Sequence, residues 1–357
     1  MATLRGVSGV VGLVLIVGLC RGADSPMSPN PTEQARPDGM PQLLPDPTNT
    51  GTANGRPTVL PDDVPESRPP GVVVLFSDFL LLRATRTGTE YALVDSNQDS
   101  VPEGILRVLK TDYHAGFRVG GRFRPGRLEW DIGAAYSHWR GNDSELLVAP
   151  AGGQLYAQHT RPGLVETADV ASTRARLGWN VYDLEFGREF TSDSSRLRAH
   201  FGVRITDANL NLLTLYDGRD AALARVLSDQ QFVGAGPMIG GEANWHIGRF
   251  LKLFAQGRGG TVIGILESTW RETNFDDQIV YADLWFRRQQ VVPVLELLLG
   301  GGLKVRRFQV EAGYMVTAWF QLFQHVDFPD DLHEGKAIIH PTPTSLDGIL
   351  IRMAFRF

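Results

Sequence analysis

The feature that most constrains this chain is a two-faced alternation kept up over unusually long stretches. In YDLEFGREF (182–190) and LRAHFGVRI (197–205), apolar residues fall on one side of an extended strand and charges on the other. A hairpin through the polar TSDSSR that pairs Phe190 with Leu197 sets Asp183 opposite Arg204 and Glu189 opposite Arg198. The construction recurs. Residues 113–123 put Tyr113, Ala115, Phe117, Val119 and Phe123 against His114, Arg118 and Arg122. After the Pro-Gly turn at 124–127, residues 128–138 put Leu128, Trp130, Ile132, Ala134 and Tyr136 against Glu129 and Asp131. Pairing Phe123 with Leu128 would set Arg122 opposite Glu129. Residues 238–247 and 251–260 place Glu242, Asn244 and His246 with Lys252, Gln256 and Arg258. Residues 294–305 and 307–322 place Glu296 and Lys304 with Gln309, Glu311, Thr317 and Gln321.

Strands of a soluble sandwich run about 5–6 residues, whereas these run roughly 10–16. Length, alternation and complementary charge on the polar face point to a closed antiparallel transmembrane β-barrel, apolar face to lipid and charged face to the lumen. The expected strands lie near 72–84, 111–123, 128–140, 174–190, 197–212, 231–247, 251–267, 291–305, 307–322 and 346–357, about ten, with eight or twelve as alternatives. The first, VVVLFSDFLLLR, has the least clean faces. The gaps alternate long and short, as outer-membrane barrels alternate external loops with periplasmic turns. An even count brings both barrel ends to the periplasmic side. Phe123, Phe190, Trp245, Phe308 and Phe357 form one expected aromatic belt, and Tyr113, Tyr136 and Phe320 the other.

Ahead of the barrel, the 357-residue chain opens with Arg5 and the apolar run 7–20, read as a signal peptide over 1–22. Its one cysteine, Cys20, falls at that boundary, so a mature chain would have none. Residues 23–70 are proline-rich and poor in aromatics, read as a disordered periplasmic linker long enough to approach the cell wall. The barrel takes 71–357. A net charge of -5 gives no basic field for nucleic acid. The final strand, GILIRMAFRF, ends in Phe355 and Phe357 with period two, an expected insertion signal for the barrel-assembly machinery. The other expected partner is outer-membrane lipid, the location being the cell outer membrane.

Several stretches resemble the Legionella-type pore-forming major outer-membrane protein family: DYHAGFRVGGRF (112–123), YDLEFGREF (182–190), HFGVRITD (200–207), FVGAGPMIGGEANWHI (232–247), LFAQGRGGTVIG (253–264), VVPVLELLLGG (291–301), EAGYMVTAWF (311–320) and SLDGILIRMAFRF (345–357). The resemblance implies an outer-membrane barrel with a pore-forming role; the proline-rich leader departs from the family pattern.

The glycine-rich GAGPMIGG (234–241) mimics a phosphate loop but sits in a strand, where glycines ease curvature. HVDFPDDLHE (325–334) offers His325, Asp327, Asp330, Asp331, His333 and Glu334 to a hard cation, though solvated loop charges read more simply. GRDAALARVLSDQQ (218–231) reads as a short amphipathic helix in a loop. No serine elbow, H-E-x-x-H or paired CxxC occurs, so no catalytic residue, cofactor or metal is expected. The leading reading is passive diffusion of small solutes through a lumen lined by Arg118, Arg122, Glu129, Asp131, Asp183, Glu185, Arg198, Arg204, Glu242, Arg258, Glu311 and Arg352. The alternatives are a structural or adhesive surface barrel with a plugged lumen, and a barrel-embedded hydrolase. Eight-stranded barrels are filled by side chains, and open channels come with about 16–18 strands, so ten strands leave little room.

Overall fold

The computed structural model describes residues 71–97, 101–126, 128–192, 194–247, 250–332 and 336–357. The expected signal peptide 1–22 with Cys20, the proline-rich 23–70, and His333 and Glu334 lie outside the described residues.

Among the described residues fourteen strands follow one another: β1 Val72–Arg86, β2 Glu90–Asp95, β3 Ile105–Val108, β4 Tyr113–Arg124, β5 Trp130–Val148, β6 Gln154–Ala157, β7 Thr167–Ala168, β8 Val170–Thr191, β9 Ser195–Gly218, β10 Ala221–Ile247, β11 Leu251–Asn274, β12 Ile279–Val305, β13 Phe308–Asp327 and β14 Ile338–Arg356. Ten of them close a barrel in the order β1-β14-β13-β12-β11-β10-β9-β8-β5-β4, and β1 pairs with both β14 and β4. Every pairing is antiparallel, so no backbone edge faces lipid. The outer wall is apolar, with Phe79, Phe117, Ile132, Leu184, Val203, Ile239, Ile263 and Ile351 all exposed. Phe123, Phe190, Trp245 and Phe308 ring its short-turn end, exposed as an interfacial belt requires.

The β8–β9 register sets Asp183 opposite Arg204, Glu189 opposite Arg198 and Phe190 opposite Leu197, as the charge pattern requires. The β4–β5 register differs from the expected one: Phe123 faces Ile132, and Arg122 faces Gly133 rather than Glu129. The cause is local. Leu128 N–H donates to the Pro125 carbonyl at 3.0 Å, which folds the segment into a wider turn and takes Leu128 and Glu129 out of the ladder. Gln321 also departs from its expected lumen position. A bulge between Trp319 and Phe323, with Gln321 at φ 62°, turns its side chain outward.

The expected loops at 213–230 and 268–290 are strand. β9 to β12 run 24, 27, 24 and 27 residues, far past the roughly 9–11 needed to cross a bilayer. Their upper halves form a tall external wall. Residues 218–231 are accordingly not a helix but the tip of the β9–β10 hairpin, with Gly218 (φ 88°) and Arg219 (φ 61°) making the turn. Helix propensity there yields to ladder pairing and to burial of Ala224 and Val226. The two longest loops fold into a second sheet, β3-β2-β6-β7. Its Tyr91, Ala92 and Leu155 pack with Tyr216, Ala224 and Trp270 of the wall, and the Tyr216 hydroxyl donates to the Tyr91 carbonyl at 2.6 Å. This sheet caps the external mouth.

Candidate functional site

The inward-facing positions form layers along the lumen. Lowest, at the short-turn end, is a vestibule of about 200 Å³. Above it lies a buried ion-pair network. Arg204 forks onto Asp183 at 2.7 and 2.8 Å and reaches Glu296 at 3.1 Å. Arg258 meets Asp183 at 3.2 Å and Glu185 at 2.9 Å. Arg198 binds Asp131 at 2.6 Å, Glu185 at 3.2 Å and Glu242 at 3.1 Å. Arg122 donates to Glu242 at 2.7 Å, Arg118 to Glu296 at 3.2 Å, and Arg352 forks onto Asp78 at 2.7 and 2.8 Å. Lys252 pairs with Glu311. Seven cations thus face seven carboxylates. Buried charges persist only when paired in this way.

Several of these contacts cross the lumen rather than follow the ladder. β4 carries Arg118 and Arg122, whereas Glu296 and Glu242 stand on β12 and β10, four places away around the ring. The next layer is apolar: Leu80, Leu82, Trp139, Val181, Leu210, Phe232, Leu266, Val292, Met315 and Leu350 are all buried in one cluster. At its centre Trp179 of β8 meets Trp319 of β13 edge to face, ring centroids 4.6 Å apart. β8 and β13 are diametrically opposite in the ten-strand ring, so this contact spans the lumen. The Arg204 guanidinium lies 5.8 Å from the Trp319 ring, joining the two layers. Higher still, Gln230 donates to the Gln324 carbonyl at 2.7 Å and Gln290 to the Leu322 carbonyl at 2.8 Å, beneath the cap.

Of the residues expected to line the lumen, Arg118, Arg122, Asp131, Asp183, Glu185, Arg198, Arg204, Glu242, Arg258, Glu311 and Arg352 stand together in this network. Glu129 does not. It sits exposed in the β4–β5 turn, paired with Arg188, because the wider turn removes it from the ladder. Glu296 and Lys252, which the alternation puts on the polar face, join the network without being in the expected lining; Asp78, and His200 at 4.0 Å from Glu185, are members the pattern does not mark at all. Glu296 is the single charge in an apolar run, and Asp78 lies on the strand whose faces are least clean.

Among the described residues, Glu185, His200 and Glu242 bring one ligand atom each within 4.8 Å, a spacing open to a metal ion. Their carboxylates are already held by Arg122, Arg198 and Arg258, whose charges oppose a further cation. The residues of 325–332 do not gather into such a set; the half-buried His325 ring instead faces His159 at 5.7 Å. The glycines of 234–241 lie in β10. A Cβ at Gly236 would run into the Thr261 carbonyl, which leaves no phosphate cradle.

A closed antiparallel barrel with an apolar outer wall, aromatic belt and charged lumen is an outer-membrane protein. The family of the Legionella pneumophila major outer membrane protein precursor matches residues 75–357, and the chain belongs to it. No curated protein matches the chain. Among solved structures, the Escherichia coli outer membrane protease OmpT is similar at 12% identity, with 81% of this chain and 97% of that chain covered and a TM-score of 0.43. The TodX deltaS2S3 mutant monoaromatic hydrocarbon channel is similar at 9% identity, covering 81% and 91%, with a TM-score of 0.30. At these values neither carries an argument about activity.

Proposed function

We propose that this protein is a structural, surface-presenting barrel whose lumen is closed to passive diffusion. The observation behind this reading is the Trp179–Trp319 contact between opposite walls, backed by the ion-pair layer beneath it. Both tryptophans are carried by wall strands, so a freely conducting pore would need the wall itself to rearrange, not only the cap. In this reading the N-terminal 22 residues direct export, the last strand is read by the assembly machinery, and the capped wall presents a rigid external surface. No catalysis is assigned to it. The test is conductance of the purified folded protein in planar bilayers. The reading expects no unitary steps from wild type; steady single-channel steps that scale with inserted protein would overturn it in favour of a pore.

A further inference from the structure

The vestibule below the network differs from it in one respect: its charge is not balanced. Arg124, Arg196, Lys304, Arg306, Arg307 and Arg356 line its rim, and among the described lining residues Glu189 is the rim's one acid. Glu189 is taken up by Arg124 at 2.7 Å and Arg196 at 3.7 Å. The acids deeper in, Asp131, Glu185, Glu242 and Glu311, are committed to the network. Arg124, Arg196, Lys304 and Arg356 occupy the inward-facing register, opposite the faces of Phe123, Leu197, Leu303 and Phe355, so they point away from lipid. Arg306 adds a separate observation. It holds φ 55° at the first central position of the two-residue β12–β13 turn, where glycine would carry no strain. An arginine kept there places a guanidinium on the rim at a conformational cost.

We propose that the vestibule binds a compact multivalent oxyanion, a phosphate- or multicarboxylate-bearing solute arriving from the periplasmic side. Guanidinium forks match phosphate and carboxylate oxygens in pairs, and a concave cationic site concentrates such anions. On the closed-lumen reading above, the vestibule ends beneath the ion-pair layer and the anion is held rather than passed; the binding itself does not rest on that reading.

The test is calorimetric titration of the full-length protein, folded in zwitterionic detergent, with pyrophosphate and with tricarballylate. Saturable binding is expected that weakens at least tenfold in Arg306→Gly and in the double variant Lys304→Gln/Arg356→Gln. Lys304→Arg should stay within twofold of wild type, as should Arg287→Gln, which alters an exposed pair with Glu267 on the outer wall. Tighter pyrophosphate assigns phosphate, and tighter tricarballylate assigns carboxylate. Arg306→Gly relieves backbone strain, so heat-modifiable mobility should show it folded, which separates lost binding from lost structure. Absence of saturable heat in wild type, equal affinity in the variants, or association only with anionic-lipid vesicles would overturn the proposal. The measurement needs no conductance, so its outcome is independent of whether the lumen is closed.

Discussion

Arg204 grips Asp183 through two parallel hydrogen bonds of 2.7 and 2.8 Å, directly across the β8–β9 ladder, with both side chains buried. The pair is not isolated. Arg258 shares Asp183, and Glu296 shares Arg204. Asp183→Asn therefore leaves two buried guanidiniums short of one carboxylate. Breaking a buried pair on one side costs about 3–5 kcal/mol, whereas replacing both partners by apolar groups is often near neutral. Asp183→Asn should lower the unfolding free energy in urea by about that range. Asp183→Leu/Arg204→Met should recover part of it, limited by the partners Arg258 and Glu296 left behind. A cost for Asp183→Asn that is within error of zero would mean the network is solvated and not structural.

The two faces of the wall make a second prediction. Val203 and Ile132 are exposed on the outer side in the membrane half. Arginine at either position should cost about 2–4 kcal/mol near the midplane. The inward-facing Gly133 has room, since a Cβ there meets the Gly121 carbonyl oxygen at 3.5 Å, an ordinary contact. Gly202, also inward, has none: its Cβ would strike the Leu184 carbonyl. Gly133→Ala should thus be near neutral and Gly202→Ala damaging, in the same unfolding assay. Equal penalties for the two alanines would contradict the register.

The membrane half of the barrel was legible because its two faces differ in kind. Asp183, Glu185, Arg198 and Arg204 alternate with Leu184, Phe186, Leu197 and Val203, so strand number, order and the β8–β9 register follow from pattern alone. The upper half was not legible because its lumen is apolar too. In β12, Val292, Val294 and Leu298 are buried inward while Val291, Leu295 and Leu299 are exposed outward, which weakens the binary signal and leaves Glu296 as the one charge that marks the inner face of this stretch. The same double burial blurs β1, where Leu80 and Leu82 are buried and Phe79 is exposed. Closure by Trp179 and Trp319 depends on which strands stand opposite each other, and no local pattern encodes that. Strand extension above the membrane is invisible to local pattern because Ala, Arg and Leu in 221–226 favour a helix until the β9 ladder overrides them.

The cap should respond to pH through two groups above the membrane. Burial holds the His159 imidazolium pKa down to about 3, with His325 and Arg86 adding; Nδ1 lies 2.9 Å from Thr214 Oγ1 and Nε2 has no partner. Burial pushes the Glu272 carboxyl up to about 7, its Oε2 accepting from Arg161 N–H at 2.9 Å. Below pH 6.5 a released cap gains a histidine proton that the docked cap refuses, so docking weakens by about 1.4 kcal/mol per unit as pH falls. Glu272 acts oppositely: its contribution is complete below 4.5 and is lost as pH rises toward 7. Between 4.5 and 6.5 the two slopes offset, and His325, also lowered by burial, tips the balance toward loosening in acid. Glu272→Gln removes the offset. Limited proteolysis within 149–168 should rise gently from pH 6.5 to 4.5 in wild type and steeply in Glu272→Gln. Identical profiles would show that Glu272 does not sense cap release.

The seam between β1 and β14 makes the last prediction. Phe357 N–H donates to the Val73 carbonyl at 2.9 Å, and its ring packs on Phe355 at 4.7 Å while facing outward, 60% exposed. Removing the residue deletes the lowest closing hydrogen bond and one ring of the interfacial belt. An open edge in lipid leaves backbone groups unsatisfied, so closure should suffer before export does. Deletion of Phe357 should reduce the fraction of heat-modifiable folded barrel in the outer membrane, with unfolded chain still reaching the periplasm. Phe357→Ala keeps the backbone bond and loses only the ring, and should fall between deletion and wild type. Normal folded barrel after deletion would remove Phe357 from the seam's requirements; a deficit in Phe357→Ala as large as in the deletion would assign the effect to the aromatic ring and its recognition, not to the hydrogen bond.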